Sequence, residues 1–290
     1  MPKCQLGGPM TRFCLSLPAL FLMLFLPTRA VAQGQHFDRI LIIVFENTDY
    51  DQALKQPFFK KMADEGVLFT NFDGLTHPSQ GNYIAMTSGS THGIHHDKTV
   101  TLNVNHIGDL LEEKGLSWKL YAEDYPGHCY KKNYKNYVRR HNPFMSYANV
   151  QNDPLRCQNI VNASEFDLDV KNKSLPHYAI YVPTLNNDGH DKGVKFADRW
   201  YKKTFEPYLK DPNFTKGLLL VSTFDESKTR YHNHIYTSLW GEALVSGTRL
   251  TEAHNHYSIM KLIEENFGLD NLGLNDSTAP SIEDIWVDEL

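Results

Sequence analysis

Apolar segments that alternate with helical patterns constrain the fold of this 290-residue chain more than any other feature. Residues 38–45 (DRILIIVF) and 217–223 (GLLLVST) are almost continuously apolar, which is typical of parallel strands buried on both faces. Further strands are predicted at 67–72, 117–122 and 178–182, and helices at 50–65, 79–87, 105–114, 195–209 (broken near Pro207) and 256–267. This alternation predicts one α/β domain around a mainly parallel sheet.

Residues 123–173 depart from that alternation. They are aromatic and polar with weak periodicity, and they contain Cys129 and Cys157. We interpret the segment as an insertion or lid. In an oxidising compartment the two cysteines would form a disulfide, the alternative being two free thiols.

The first 32 residues are typical of a secretory signal peptide. The apolar run 15–26 follows basic residues and precedes a small-residue cleavage pattern at 30–32. The run is too short for the roughly 20 residues of a membrane-spanning helix. We therefore predict a secreted single domain at 33–290 without a membrane anchor. Four possible glycosylation sequons begin at Asn162, Asn172, Asn213 and Asn275.

The charge of the chain excludes one class of partner. The formal net charge is −5, and removal of the three basic residues of the signal segment takes it to about −8. An acidic chain without a basic run is not expected to bind nucleic acid as a general partner. A small phosphate ligand remains compatible with this charge, because a bound metal can reverse the local sign.

Polar side chains follow the predicted strands where each strand ends. They are Glu46, Asn47, His77, Ser79, Asp188, His190, Asp191, Asp225, Glu226 and His256. Taken singly, such residues are more often helix caps or hydrogen-bonded surface groups. The carboxyl ends of parallel strands, however, meet at one edge of the sheet. Three carboxylates there (Glu46, Asp225 and Glu226) would repel one another, and a cation would relieve that repulsion.

Residues 79–94 resemble the nucleophile segment of nucleotide pyrophosphatases/phosphodiesterases, which belong to the alkaline phosphatase superfamily. Ser79 stands three residues before Asn82, and a turn at Thr87-Ser-Gly precedes His92-Gly-Ile. The resemblance implies an alkaline-phosphatase-like three-layer α/β sandwich with Ser79 as the nucleophile.

Three departures from that superfamily point to a narrower group. Glu46 replaces an Asp, Asn186 stands where an Asp-x-x-x-His motif would begin, and Glu226 replaces a His. With residues 77–79, 187–191 and 256–258, these departures resemble the phosphoesterase family of secreted acid phosphatases and bacterial phospholipases C. The resemblance implies a phosphoric ester hydrolase.

The resemblance and the ligand types together imply a set of site residues. Oxygen-rich ligands favour one divalent metal ion, of which Ca²⁺, Mg²⁺, Mn²⁺ and Zn²⁺ remain open. The implied metal ligands are Glu46, Asn47, Ser79, Asp225 and Glu226. The implied phosphate ligands are Asn47, His77, His190 and His256, with His190 or His256 as the proton donor and Asp188 or Asp191 orienting His190.

Three functions are compatible with these residues. The first is a phosphomonoesterase of the acid phosphatase type that forms a phosphoserine on Ser79. The second is a phosphodiesterase of the phospholipase C type with the same core, and residues 123–173 would decide between the two by the space they leave. The third is a secreted glycoprotein that keeps the fold but only binds a ligand.

Overall fold

The apolar segment Arg39–Phe45 forms β1 near the middle of an eight-stranded sheet. The structure is a computed structural model that describes residues 34–229 and 232–287. The predicted signal peptide therefore lies outside the described residues. Within these two ranges no helix is both long and apolar enough to span a membrane.

The remaining elements follow β1 along the chain. The strands are β2 (Val67–Phe69), β3 (Phe72–Asp73), β4 (Trp118–Ala122), β5 (Ile160–Asn162), β6 (Tyr178–Val182), β7 (Leu218–Phe224), β8 (Thr237–Trp240), β9 (Thr248–Leu250) and β10 (His254–Asn255). The helices are α1 (Tyr50–Leu54), α2 (Pro57–Glu65), α3 (Gln80–Ser88), α4 (Ile107–Glu113), α5 (Ala148–Gln151), α6 (Pro154–Cys157), α7 (Phe166–Asn172), α8 (Val194–Leu209), α9 (Pro212–Thr215), α10 (His256–Phe267) and α11 (Asn275–Thr278). Short 3-10 helices occupy 139–141, 143–146 and 163–165.

The large sheet has the strand order β5-β4-β6-β1-β7-β8-β2-β9. Its pairs are parallel except that β8 runs antiparallel to both β7 and β2. A separate pair joins β3 to β10 in parallel. The predicted mainly parallel sheet is confirmed.

Both faces of the sheet are covered by helices. Because successive side chains of a strand point to opposite faces, Phe45 of β1 packs against Phe59 of α2 and Tyr201 of α8, whereas Ile42 lines a small cavity with Met86 of α3 and Ile259 of α10. The result is the three-layer sandwich that the resemblance implied.

Several predicted boundaries are wrong, and local chemistry explains them. The predicted helix 50–65 is two helices, because Gln56 before Pro57 adopts an extended conformation and Pro57 opens α2. Helix α8 is not broken near Pro207 but continues to Leu209. Aromatic packing of Tyr208 against Phe166 and Phe214 holds its last turn. The predicted strand 67–72 is interrupted, since its last residue pairs in the small sheet instead.

The segment 123–173 is more ordered than its weak periodicity indicated. It supplies β5, which extends the main sheet by pairing in parallel with β4. Cys129 and Cys157 are joined by a disulfide with their Cα atoms 5.4 Å apart, as predicted. This disulfide connects a loop of the segment to α6.

Candidate active site

The register of β1 and β7 places two carboxylates side by side. Phe45 and Phe224 are paired at the ends of these strands, and the Asp225 amide donates to the Phe45 carbonyl at 2.9 Å. The next residues, Glu46 and Asp225, are fully buried at 0% exposure. The apolar strands thus carry two acidic side chains to the carboxyl edge of the sheet.

Ser79 lies between these carboxylates, immediately before α3. Its backbone is already helical, with φ −44° and ψ −48°. The Ser79 hydroxyl donates to Glu46 Oε2 at 3.1 Å and also hydrogen bonds the Asp225 carboxylate, which moderates the rise in the pKa of Asp225. The preceding His77–Pro78 peptide bond is cis. The predicted nucleophile and two predicted metal ligands therefore meet.

Asn47 joins the two acidic residues that follow β7. Its backbone N–H donates to Asp225 Oδ1 at 3.2 Å, and its Nδ2 donates to Glu226 Oε1 at 2.7 Å. The residue adopts φ 35°, a left-handed conformation that Asn tolerates better than most residues. This backbone conformation directs both donors of Asn47 toward the carboxylates.

Glu226 is held by the loop that leads into Ser79. His77 Nδ1 lies 2.9 Å from Glu226 Oε2, and Asn82 Nδ2 donates to the same oxygen at 3.3 Å. The side-chain oxygen of Asn82, Oδ1, accepts hydrogen bonds from the backbone N–H groups of Leu75 and Thr76. Asn82 thus hydrogen bonds both to the loop before Ser79 and to the acidic cluster.

Burial and mutual repulsion perturb the acidic cluster. Burial, followed by the charge of Asp188, raises the pKa of Glu46 well above its usual range. Burial and the charges of Glu46 and Glu226 raise the pKa of Asp225 in the same direction. Burial likewise raises the pKa of Asp188. Close carboxylates with raised pKa values are the environment in which a cation is most stabilising.

The donor atoms of this cluster fit a hard divalent cation. Asn47 Oδ1 and Asp225 Oδ2 are buried oxygens with no hydrogen-bond partner among the described residues, and oxygen is the ligand type that Mg²⁺, Mn²⁺ and Ca²⁺ prefer. Among residues 34–229 and 232–287, no three His, Cys, Asp or Glu side chains are already arranged as a metal-binding group. The unpartnered oxygen atoms, and not a preformed set of ligands, therefore support a cation at this position.

His256 is buried behind the cluster, at 1% exposure. Its Nε2 lies 2.8 Å from the backbone carbonyl of Asp225, so this nitrogen donates to that carbonyl. Burial lowers the pKa of His256 to about 4. The contact holds the main chain of Asp225 in place.

His190 occupies the exposed rim of the site. Its side chain is 44% exposed, and its Nδ1 lies 2.7 Å from Asp191 Oδ1, while the buried Asp188 carboxylate accepts from the His190 backbone at 2.9 Å. Gly189 between them has φ 108°, and a Cβ there would approach the Glu46 carbonyl oxygen at 3.2 Å. The loop after β6 therefore requires glycine in order to pass this close to Glu46.

His141 is a site residue that the sequence did not predict. Its Nε2 lies 3.0 Å from Glu46 Oε1 and its Nδ1 4.0 Å from Asp188 Oδ2. The ring stacks on Tyr83 of α3 at 5.0 Å with an interplanar angle of 10°, and burial lowers its pKa well below the usual range. The adjacent residues Arg139, Arg140 and His141 were the available signal, but they lie in the segment without clear periodicity.

Sequence relatives provide independent information about this site. A probable acid phosphatase of Kluyveromyces lactis is 37% identical over 265 residues, which cover 87% of this chain and 63% of that protein. A phosphatidylinositol-3-phosphatase of Mycobacterium tuberculosis is 30% identical over 260 residues, covering 87% of this chain and 84% of that protein. The chain spans about three-fifths of the length of the fungal acid phosphatases that it matches.

Structural similarity supports the fold. A protein of the alkaline phosphatase superfamily from Vibrio parahaemolyticus superposes with a TM-score of 0.61 at 14% identity, over 86% of this chain and 71% of that one. The model of the Phosphoesterase family matches residues 49–270, which include Ser79 and the Asp225-Glu226 pair. The chain belongs to the Phosphoesterase family.

Proposed function

We propose that this protein hydrolyses phosphate monoesters through a covalent phosphoserine on Ser79. One observation carries the proposal: the Ser79 hydroxyl lies 3.1 Å from Glu46 Oε2 within a buried cluster of carboxylates at the start of a helix. A hydroxyl so placed is a weak nucleophile until a nearby base or cation activates it.

A divalent cation is part of this proposal. Glu46, Asn47, Ser79, Asp225 and Glu226 would hold it, because these oxygen-bearing residues are neighbours at the carboxyl edge of the sheet. When bound, the cation supplies positive charge that lowers the pKa of a coordinated hydroxyl and stabilises negative charge in the transition state. The same charge offsets the repulsion within the cluster.

In the first step, Ser79 Oγ attacks phosphorus while the bond to the leaving oxygen breaks. The hydroxyl proton passes to Glu46 Oε2, the acceptor at 3.1 Å. We assign proton donation to the leaving oxygen to His190, because its exposed side chain can reach a substrate and its Nδ1 lies against Asp191. His256, which is buried and bonded to a backbone carbonyl, instead maintains the position of Asp225.

In the second step, water attacks the phosphoserine on the opposite side. His190 accepts a proton from the water, the bond between Ser79 Oγ and phosphorus breaks, and Ser79 Oγ recovers a proton from Glu46. Asn47 and His77 lie beside Ser79 on the Glu226 side, so we propose that they bind non-bridging oxygens. One phosphate and one alcohol are released.

Monoester rather than diester hydrolysis is favoured by the relatives, since the acid phosphatases at 35–38% identity are named for it.

The disulfide between Cys129 and Cys157 supports an oxidising compartment, and we propose that the protein is secreted.

Replacement of Ser79 tests the covalent step. Ser79→Ala is expected to lower kcat with p-nitrophenyl phosphate by at least about 1,000-fold, because no other group can form the intermediate. Phosphopeptide mapping after acid quenching should find phosphate on Ser79 of the unmodified protein. Ser88→Ala is the matched control, since Ser88 lies at the other end of α3 and donates to the Ile84 carbonyl. Near-normal activity of Ser79→Ala sinks the proposed nucleophile.

Chelation tests the cation. Exhaustive chelation should abolish hydrolysis of the monoester, and re-addition of a divalent ion should restore it. A parallel assay with bis-p-nitrophenyl phosphate compares diester activity. Full monoester activity in protein shown by elemental analysis to be metal-free would exclude the cation, and a higher kcat/KM for the diester would favour the phosphodiesterase alternative.

A further inference from the structure

The short 3-10 helix Arg139–His141 packs against the candidate active site. His141 anchors its end, with Nε2 3.0 Å from Glu46 Oε1 and its ring stacked on Tyr83. These contacts join His141 to residues that lie 95 and 58 positions earlier in the chain. The segment 123–173 thereby brings two arginines next to an otherwise acidic cluster.

The two arginines have different environments. Arg139 is 3% exposed and donates to Gln80 Oε1 and to the carbonyls of Val100 and Met145. Through these hydrogen bonds, Arg139 holds the segment 123–173 against α3. Arg139 therefore has a structural role.

Arg140 is much less constrained. Its side chain is 23% exposed, and Nε lies 3.5 Å from Asp97 Oδ2 as a loose ion pair. The Nε atoms of both arginines are buried without a hydrogen-bond partner among the described residues, but the other guanidinium nitrogens of Arg139 donate hydrogen bonds, whereas those of Arg140 donate none to the described residues. A buried donor without a partner is costly unless a ligand satisfies it.

Arg140 also lies near the start of α3 and near the acidic cluster, since the next residue, His141, contacts Glu46. Asp97, its ion-pair partner, accepts a hydrogen bond from the Gln80 backbone at 3.2 Å, and Gln80 follows Ser79 directly. The positive charge of Arg140 also moderates the rise in the pKa values of Glu46 and Asp188 that burial causes. The charge of the guanidinium therefore acts on the same acidic cluster that surrounds Ser79.

We propose that Arg140 binds the non-bridging oxygens of the substrate phosphate and selects dianionic monoesters over monoanionic diesters. This inference rests on the proposed function. A planar guanidinium can donate two parallel hydrogen bonds to a phosphate. A monoester above its second ionisation carries one more negative charge than a diester, so a cation at the site favours the monoester.

Neutral and charged replacements of Arg140 test the proposal. Arg140→Gln should raise KM for p-nitrophenyl phosphate and the inhibition constant of inorganic phosphate by about tenfold, equivalent to about 1.4 kcal/mol, with kcat changed by less than about threefold. KM for bis-p-nitrophenyl phosphate should change by less than about threefold. Arg140→Lys should recover part of the phosphate affinity, since lysine keeps the positive charge but not the planar pair of hydrogen-bond donors.

Arg156→Gln is the matched control. Arg156 belongs to the same segment, its side chain is 21% exposed, and its partners are Asp109 and Glu112, which lie apart from the acidic cluster. Its phosphate inhibition constant should equal that of the unmodified protein. Thermal unfolding of all variants establishes that they are folded.

The outcomes separate this inference from the proposed function. An unchanged phosphate inhibition constant in folded Arg140→Gln overturns the role of Arg140, as does an equal loss with both esters. If the unmodified protein hydrolyses neither ester, the proposed function fails. The rise in melting temperature on adding inorganic phosphate then still tests Arg140, and it must be smaller in Arg140→Gln than in the unmodified protein.

Discussion

At the scale of single residues, His141 is a neutral buried imidazole that contacts one of the ligands of the proposed cation site. Its two ring nitrogens face Glu46 and Asp188, and both are buried without a hydrogen bond of good geometry. Burial and the nearby charge of Arg140 lower its pKa, so the ring stays neutral. We infer that His141 fixes the orientation of the Glu46 carboxylate.

His141→Phe tests this positioning role. The phenyl ring keeps the stacking on Tyr83 but removes both nitrogens. Affinity for the divalent ion, measured by calorimetry, should fall by about 10- to 100-fold, which is typical for loss of a group that orients a metal ligand. His177→Phe is the control, because His177 precedes β6 at the opposite edge of the sheet. Unchanged metal affinity in a folded His141→Phe protein contradicts the inference.

At the scale of elements, the segment 123–173 links sheet, disulfide and site. Its 3-10 helix at 139–141 carries Arg140 and His141, and β5 extends the main sheet. Asn133, in the loop between Cys129 and this helix, accepts a hydrogen bond from the Arg139 backbone at 2.9 Å. The disulfide therefore restrains the part of the chain that completes the site.

Removal of the disulfide should reduce stability and weaken substrate binding together. The two cysteines are 28 residues apart, and a closed loop of that length corresponds to about 2–4 kcal/mol in the free energy of unfolding. Urea unfolding of the Cys129→Ser, Cys157→Ser double variant measures this loss. We also expect a several-fold rise in KM. A normal KM in the folded variant would show that the site is held independently of the disulfide.

At the scale of the whole molecule, the acidic cluster couples folding to pH and, at the proposed metal site, to cation binding. Glu46, Asp188 and Asp225 have pKa values raised above their usual range, so the cation-free native state retains protons that the unfolded chain releases above about pH 4. The contribution of these three carboxyl groups to the stability of the cation-free protein is therefore greatest at low pH and declines as pH rises toward their raised pKa values.

Binding of a divalent ion should counteract this decline. The melting temperature measured with excess ion minus that measured with chelator is expected to grow from pH 5 to pH 8, and an ion at 100 times its dissociation constant adds about 2.7 kcal/mol. Asp225→Asn removes one repelling charge, so its chelated form should lose less stability with rising pH. A difference in melting temperature that is independent of pH argues against cation binding at this cluster.

Much of the framework was predictable because its signals are local. The buried strands β6 and β7 and the helix α10 have patterns that depend only on neighbouring residues, and the predicted bounds of β6 and α10 match those observed. The break at Pro57 was missed although proline carries a local signal. The continuation of α8 through Pro207 was missed because distant aromatic packing compensates for the lost hydrogen bond.

The sequence by itself determined which acidic residues end the strands and which serine precedes the helix, because strand ends in a parallel sheet share one edge. Only the tertiary structure decided that Arg140 and His141 join them. Their segment has no periodic pattern, and its position depends on long-range contacts: the Arg139–Gln80 hydrogen bond, stacking on Tyr83 and the pairing of β5 with β4. Such contacts form between residues far apart in the chain, and no local pattern encodes them.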